Sequence, residues 1–264
     1  AIHSGAQRFL AKPLQAEEVK SVLEKIEAFW DLRLSATFDN SKSKLRMIGS
    51  SSQTENLRKK ISQLKQEKNP ILIEGETGTG KEVVAHLLNQ QEGQKPFVAI
   101  NCSALTETLF ESEFFGHVKG AFTGAETNKI GFAEAASGGD LFLDEIEALP
   151  LSQQAKLLRF LESGEIRKVG AKESQIIQVR VIAASNIPLK KLIEEKKFRE
   201  DLYFRLSSHL IALPTLSERK EDITELSNYF ISLEKPKRNK SFDPAAVEQL
   251  KKYGWPGNIR ELKR

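Results

Sequence analysis

No stretch constrains the fold of this chain more than residues 71–82, ILIEGETGTGKE. Ile71, Leu72 and Ile73 run into Glu74 as the kind of apolar segment a buried parallel strand displays. Gly75, Gly78 and Gly80 follow, with Lys81 in the register G-x-x-x-x-G-K. Val83, Val84, Ala85, Leu87 and Leu88 then take up helical spacing. Each residue type has a reason in phosphate chemistry. Glycines let backbone N–H groups turn inward on an anion, the helix N-terminus adds its dipole, and Lys81 brings a point charge for the outer phosphates. A plain glycine-rich turn explains the glycines but not the lysine. Glu82 stands where Ser or Thr usually meets magnesium in such loops, so the ion must lean on other residues.

Strands and helices alternate beyond this point. Phe97 to Ile100 is a second apolar run ending on Asn101, and Leu141 to Leu143 a third ending on Asp144-Glu145. Val179 to Ala184 ends on Ser185-Asn186, and His209 to Leu213 is closed by Pro214. A helix is expected from Gln53 to Gln66, stopped by Asn69-Pro70. The pattern predicts a parallel α/β sheet, whose ligands gather at the carboxyl ends of the strands. The polar residues just named all fall there.

The 264 residues hold 39% hydrophobic and 29% charged residues, an ordinary soluble composition. Forty basic against 36 acidic residues give +4, too mild to argue nucleic-acid binding by charge. Cys102 is the only cysteine, which excludes an internal disulfide and suits a reducing cytoplasm. The four histidines lack metal-ligand spacing, and no membrane span or signal peptide is legible. A cytoplasmic location is expected.

Asp144 and Glu145 match a Walker B pair, the first holding magnesium and the second polarising the attacking water. Helix N-capping is the competing reading for Asp144. Asn101 and Asn186 read locally as strand-end turn residues. In KKFREDLYFRL, residues 196–206, Phe198, Leu202 and Leu206 form a buried stripe on one predicted helix. Arg199 and Arg205 flank it about 120° out of phase, free to be solvated, to pair with Glu200 and Asp201, or to reach a neighbour's nucleotide. Arg260 falls in the first turn of a helix after Pro256-Gly257-Asn258, open to phosphate sensing or a surface role. Gly120 and Gly124 bracket Ala121-Phe122-Thr123, followed by Ala125. So many small residues around one ring suit a loop tip that presents Phe122 to a partner, a tight turn against the domain being the alternative.

GAFTGA at 120–125 resembles the signature loop of bacterial enhancer-binding proteins, the AAA+ ATPases that activate sigma-54 RNA polymerase. GETGTGKE at 75–82, GGDLFLDEI at 138–146, FREDLYFRL at 198–206 and WPGNIREL at 255–262 follow in that family's order. The resemblance covers residues 45–264 and implies an AAA+ P-loop sheet flanked by helices, with a small helical lid. Glutamate after the loop lysine is usual in the family, so Glu82 is no obstacle to hydrolysis. ATP and magnesium are the implied ligands, gripped by Gly75, Glu76, Thr77, Gly78, Thr79, Gly80, Lys81, Glu82 and Val83, with Ile48 and Gly49 at the adenine. By the same resemblance Asp144 serves magnesium with Glu82 nearby, Glu145 activates water and Asn101 restrains it. Asn186 is similar to sensor I, Arg199 and Arg205 to trans-acting fingers, and Arg260 to sensor II. Gly120 to Ala125 would meet sigma-54 and its polymerase, helped by a loop near Glu165 to Gln175. Ser217 departs from the family, which usually has arginine there. A homo-oligomeric ring, hexamer or heptamer, is implied, with a dimer as an inactive state.

Gly5, Ala6, Phe9, Leu10, Lys12 and Pro13 resemble the end of a response-regulator receiver domain, which implies a two-component system and a sensor histidine kinase. Residues 1–34 are read as that remnant and its helix, 35–44 as a linker, 45–217 as the nucleotide-binding subdomain and 218–264 as the start of the lid. Val19, Val22, Ile26 and Phe29 suit either an amphipathic helix packed on its own domain or a dimerising coiled coil. A DNA-binding domain is expected downstream. A general AAA+ remodeller and a nonhydrolysing nucleotide-binding regulator are the other classes open to this sequence. The first has no reason for GAFTGA, and the second would lack catalytic groups.

Overall fold

The computed structural model describes residues 45–90, 95–233 and 242–264. The receiver-like segment and the linker therefore lie outside the described residues. Helix α1 (Ser52–Leu64) is capped by Ser51, whose side chain accepts from Thr54 N. Strand β1 (Ile71–Glu74) leads through the glycine loop into α2 (Lys81–Asn89). Then come β2 (Phe97–Asn101), α3 (Glu107–Phe115), β3 (Asp140–Asp144), α4 (Leu151–Ser163), β4 (Arg180–Ser185), α5 (Leu189–Glu194), α6 (Glu200–Leu206) and β5 (His209–Ala212).

The strands lie in the order β2-β3-β4-β1-β5, every pair parallel. Alternate side chains leave opposite faces, so each strand feeds two cores. Ile71, Ile73, Phe142, Ile182 and Ile211 pack with α1 and α2, whereas Leu72, Val98, Leu141, Leu143 and Val181 pack with α3, α4 and α6. Burial on both faces explains why these runs read as continuous apolar stretches. Each fully buried Ile or Leu contributes about 1.5–3 kcal/mol.

At the amino-terminal end of the sheet, Arg180 is buried against Asp140, with Nε and Nη2 each 2.7 Å from a carboxylate oxygen. Its remaining donors reach the carbonyls of Leu64, Lys65, Glu67 and Leu88. One guanidinium thus closes the carboxyl ends of α1 and α2 and fixes the helix that follows the glycine loop.

A third, smaller core of Leu216, Ile223, Leu226 and Trp255 joins α7 (Asp222–Leu233), α8 (Pro244–Lys252) and α9 (Asn258–Leu262), with Ile48 and Ile259 packed against it. This is the helical lid.

The helix expected across residues 196–206 is shorter. Lys196 turns the backbone at φ +57, and Arg199 is the extended residue before α6 rather than a member of it. Phe198 is buried with Leu202 and Leu206 as expected, but from the loop. The six-residue phase between Arg199 and Arg205 therefore does not apply.

Candidate active site

The site lies at the carboxyl ends of β1, β3 and β4. Lys81 is buried, and its ammonium donates to Gly75 O (2.7 Å), Glu76 O (3.1 Å) and Asn186 Oδ1 (2.7 Å). Asn186 Oδ1 also accepts from Thr77 Oγ1 at 3.1 Å. Inside the loop Thr79 Oγ1 donates to Glu76 O at 2.7 Å. Burial lowers the Lys81 pKa, opposed by the carboxylates of Asp144, Glu147 and Glu145.

Asp144 ends β3, and its Oδ1 accepts from Glu145 N at 3.0 Å. Burial raises the Asp144 pKa, opposed by that backbone bond and by Lys81. Glu82 is raised as well, first by burial and then by Asp144. Glu145 adopts φ +54, a left-handed conformation that an ordinary side chain takes only where its surroundings impose it. The N-cap reading of Asp144 does not hold: Glu145 occupies the N-cap position of the short turn Ile146–Ala148, no side chain caps it, and Asp144 accepts only from the next residue's N–H. Carboxylates at 82, 144, 145 and 147 beside one lysine make an anionic surplus of hard oxygens that suits magnesium. Among the described residues no three ligand groups form a ready-made metal cage.

The lid closes on the loop directly. Ile259 N and Arg260 N donate to Gly78 O at 3.0 and 3.3 Å. A Cβ on Gly78 would fall 2.3 Å from Gly257 O, so only glycine permits this approach. Asn258 is buried at φ +53, donates to Glu76 Oε2 and Thr77 O, and accepts from Leu216 N. Arg219 is buried and donates to Thr79 O at 3.0 Å. Asp222 accepts from Ser51 N, Ser51 Oγ and Thr54 Oγ1 at 2.7, 2.8 and 2.6 Å. Gly49 packs on that carboxylate and Ile48 on the lid core, which joins the predicted adenine segment to the lid.

Asn101 sits beside Asp144 in strand register, but its Oδ1 accepts from Ser103 N and Oγ at 2.9 and 2.7 Å. Its visible role is to cap the turn that follows β2. Arg199 forms a two-pronged pair with Asp201 (3.0 and 2.7 Å), and Arg205 donates twice to Leu161 O. Phe204, next to Arg205 on α6, is exposed. Ser217 bonds Thr215 Oγ1 at 2.9 Å in a capped turn.

The loop of Gly120 to Ala125 stands on a two-residue ladder, Gly116–His117 with Lys129–Ile130. Gly120 N donates to Ala125 O and Ala125 N to Phe122 O, while Ala125 itself is buried. Phe122 is 45% exposed, its ring edge-on to His117 at 5.0 Å. Gly120 and Gly124 have open space for a Cβ but carry φ of +80 and +99, so conformation is what requires glycine there. Val118 N donates to Val169 O and Val169 N to Gly116 O, which ties this loop to the one between Glu165 and Gln175.

The description "Sigma-54 interaction domain" matches residues 47–212, and "AAA+ ATPase lid domain" matches 217–264. The chain belongs to the sigma-54 interaction domain family. It is 41% identical over 268 residues to Regulatory protein LuxO of Vibrio vulnificus (strain YJ016), covering 99% of this chain and 59% of LuxO. It is also 41% identical over 266 residues to the DNA-binding transcriptional regulator NtrC of Rhizobium meliloti (strain 1021), covering 99% and 55%. The chain thus spans less than two thirds of these relatives. Among solved structures, NtrX from Brucella abortus in complex with ADP matches at a TM-score of 0.76 and 32% identity, over 99% of this chain and 60% of NtrX.

The sequence reading missed Glu147, Asn258, Arg219 and Asp222. Only Asn258 left a local signal: Pro-Gly-Asn before a helix suits a left-handed asparagine.

Proposed function

We propose that this chain is the ATP-hydrolysing engine of a transcriptional activator that remodels sigma-54 RNA polymerase to open promoter DNA. One observation carries the catalytic part. Glu145 is held left-handed beside Asp144 at the mouth of the glycine loop that stores Lys81. On this reading ATP takes Lys81 from Gly75 O, Glu76 O and Asn186 Oδ1 onto its outer phosphates. Glu145 orients a water and accepts its proton as the oxygen attacks the γ-phosphorus. The bond to the β-phosphate bridging oxygen breaks and ADP leaves. Magnesium, held by Asp144 with Glu82 nearby, neutralises phosphate charge when bound. Arg260 and Asn186 report the γ-phosphate, and Ile48 with Gly49 borders the adenine.

The ring reading draws on Arg199, Phe204 and Arg205, all exposed and free to be covered by a neighbouring protomer's nucleotide and surface. Asn101 acts as the restraint on Glu145, a role its place beside Asp144 permits. Residues 120–124 meet sigma-54, with the buried Ala125 at the foot of the loop. We read 1–34 as a receiver remnant answering a sensor kinase, 35–44 as a linker, 45–217 as the nucleotide-binding subdomain and 218–264 as the lid. Contact with DNA is assigned to a domain outside this chain. A cytoplasmic location follows from the regulator family, and among the described residues no helix is long and apolar enough to cross a membrane.

ATP turnover tests the reading. It should rise per chain with protein concentration, and Glu145→Gln should lower it at least about a hundredfold with nucleotide binding intact. Full turnover in Glu145→Gln would remove that residue from the chemistry.

A further inference from the structure

Glu147 has no part in the mechanism above, yet it grips Asn186, whose side chain joins two loop carbonyls in holding Lys81. Its Oε1 accepts from both the main-chain N and the Nδ2 of Asn186, at 3.0 and 2.9 Å. The other end of the same amide accepts from Lys81 Nζ at 2.7 Å and Thr77 Oγ1 at 3.1 Å. Chemistry fixes which way this amide faces. An ammonium only donates and a carboxylate only accepts, so a flipped Asn186 would oppose donor to donor and acceptor to acceptor. Glu147 Oε2 is buried without a hydrogen-bond partner among the described residues, so its charge is only half compensated. That uncompensated charge lies near enough to attract Lys81.

We propose that Glu147 is a positioning residue for phosphoryl transfer: it locks the Asn186 amide with its carbonyl oxygen toward Lys81, so incoming phosphates must win the lysine from that lock. The proposal rests on the ATPase reading and adds a control to it. Glu147 weakens nucleotide binding through its charge and its lock, and it sharpens turnover by holding Asn186 in one orientation.

Glu147→Gln keeps the shape but removes the charge and admits either amide orientation. The Kd for ATP, from fluorescence titration, should fall about tenfold and kcat should fall about tenfold. Glu147→Asp keeps the charge but is one methylene too short to reach both Asn186 donors, so kcat should fall while Kd falls less than in Glu147→Gln. Adding Glu147→Gln to Asn186→Ala should change kcat no further, because Glu147 acts through Asn186. A merely structural role would lower kcat and the melting point together and leave the two substitutions additive, which would overturn the proposal. Parental Kd and kcat in Glu147→Gln, or parental kcat in Glu147→Asp should Glu147→Gln not fold, would overturn it equally. If the parent hydrolyses ATP and the variants match it, only the Glu147 proposal falls; if the parent neither binds nor hydrolyses ATP, the ATPase reading falls with it.

Discussion

Asp144 carries much of the electrostatic cost of the site. Its carboxylate is partly desolvated and faces Glu145 and Glu147, with one backbone donor and Lys81 in compensation. Its pKa is raised in the folded chain, so its contribution is complete below the ordinary aspartate range and lost as pH rises through the raised value. At neutral pH the ionised group therefore destabilises the fold. Asp144→Asn should raise the melting temperature at pH 7.5 by about 2–4 °C while abolishing turnover. The gain should fade as pH falls through the carboxylate range, as thermal scans across pH will measure. An unchanged or lower melting temperature would contradict this picture of the site. That Lys81, Asp144 and Glu145 come together was legible because each follows directly from the strand and loop before it in sequence. Arg219 and Asp222 were not, because each depends on partners more than a hundred positions away, at Thr79 and at Ser51 and Thr54.

The strands were legible as elements because burial on both faces leaves unbroken apolar runs. The start of α6 was not. Phe198 keeps the helical period in sequence while Lys196 has already turned the chain, and one buried ring continues the pattern from a loop. The junction of lid and loop was hidden for a similar reason, since it is built from backbone carbonyls and single polar side chains rather than from any periodic pattern. Gly49 gives a sharp test of it. The residue has φ +132, and a Cβ would lie 2.3 Å from the Asp222 carboxyl carbon. Gly49→Ala should cost about 2–4 kcal/mol in urea unfolding, through backbone strain and displacement of that carboxylate. A loss below about 0.5 kcal/mol would mean the lid is not anchored there.

Across the whole molecule, the proposed nucleotide site and the proposed partner loop lie on separate elements. Asp144 and Glu145 follow β3, while the Phe122 loop rises between α3 and β3 and is bonded to the loop after α4. Work passes between them only if the loop binds its partner differently in the two nucleotide states. The half-exposed Phe122 and its hinging glycines provide a tip able to do so. The most direct measurement is capture of purified sigma-54 by this chain with ADP and a metal fluoride that mimics the transferring phosphoryl group. A stable complex is expected with the analogue, with none in ADP alone and none for Thr123→Ala, which should keep parental ATPase activity. Equal capture in every nucleotide state, or full capture by Thr123→Ala, would contradict the account.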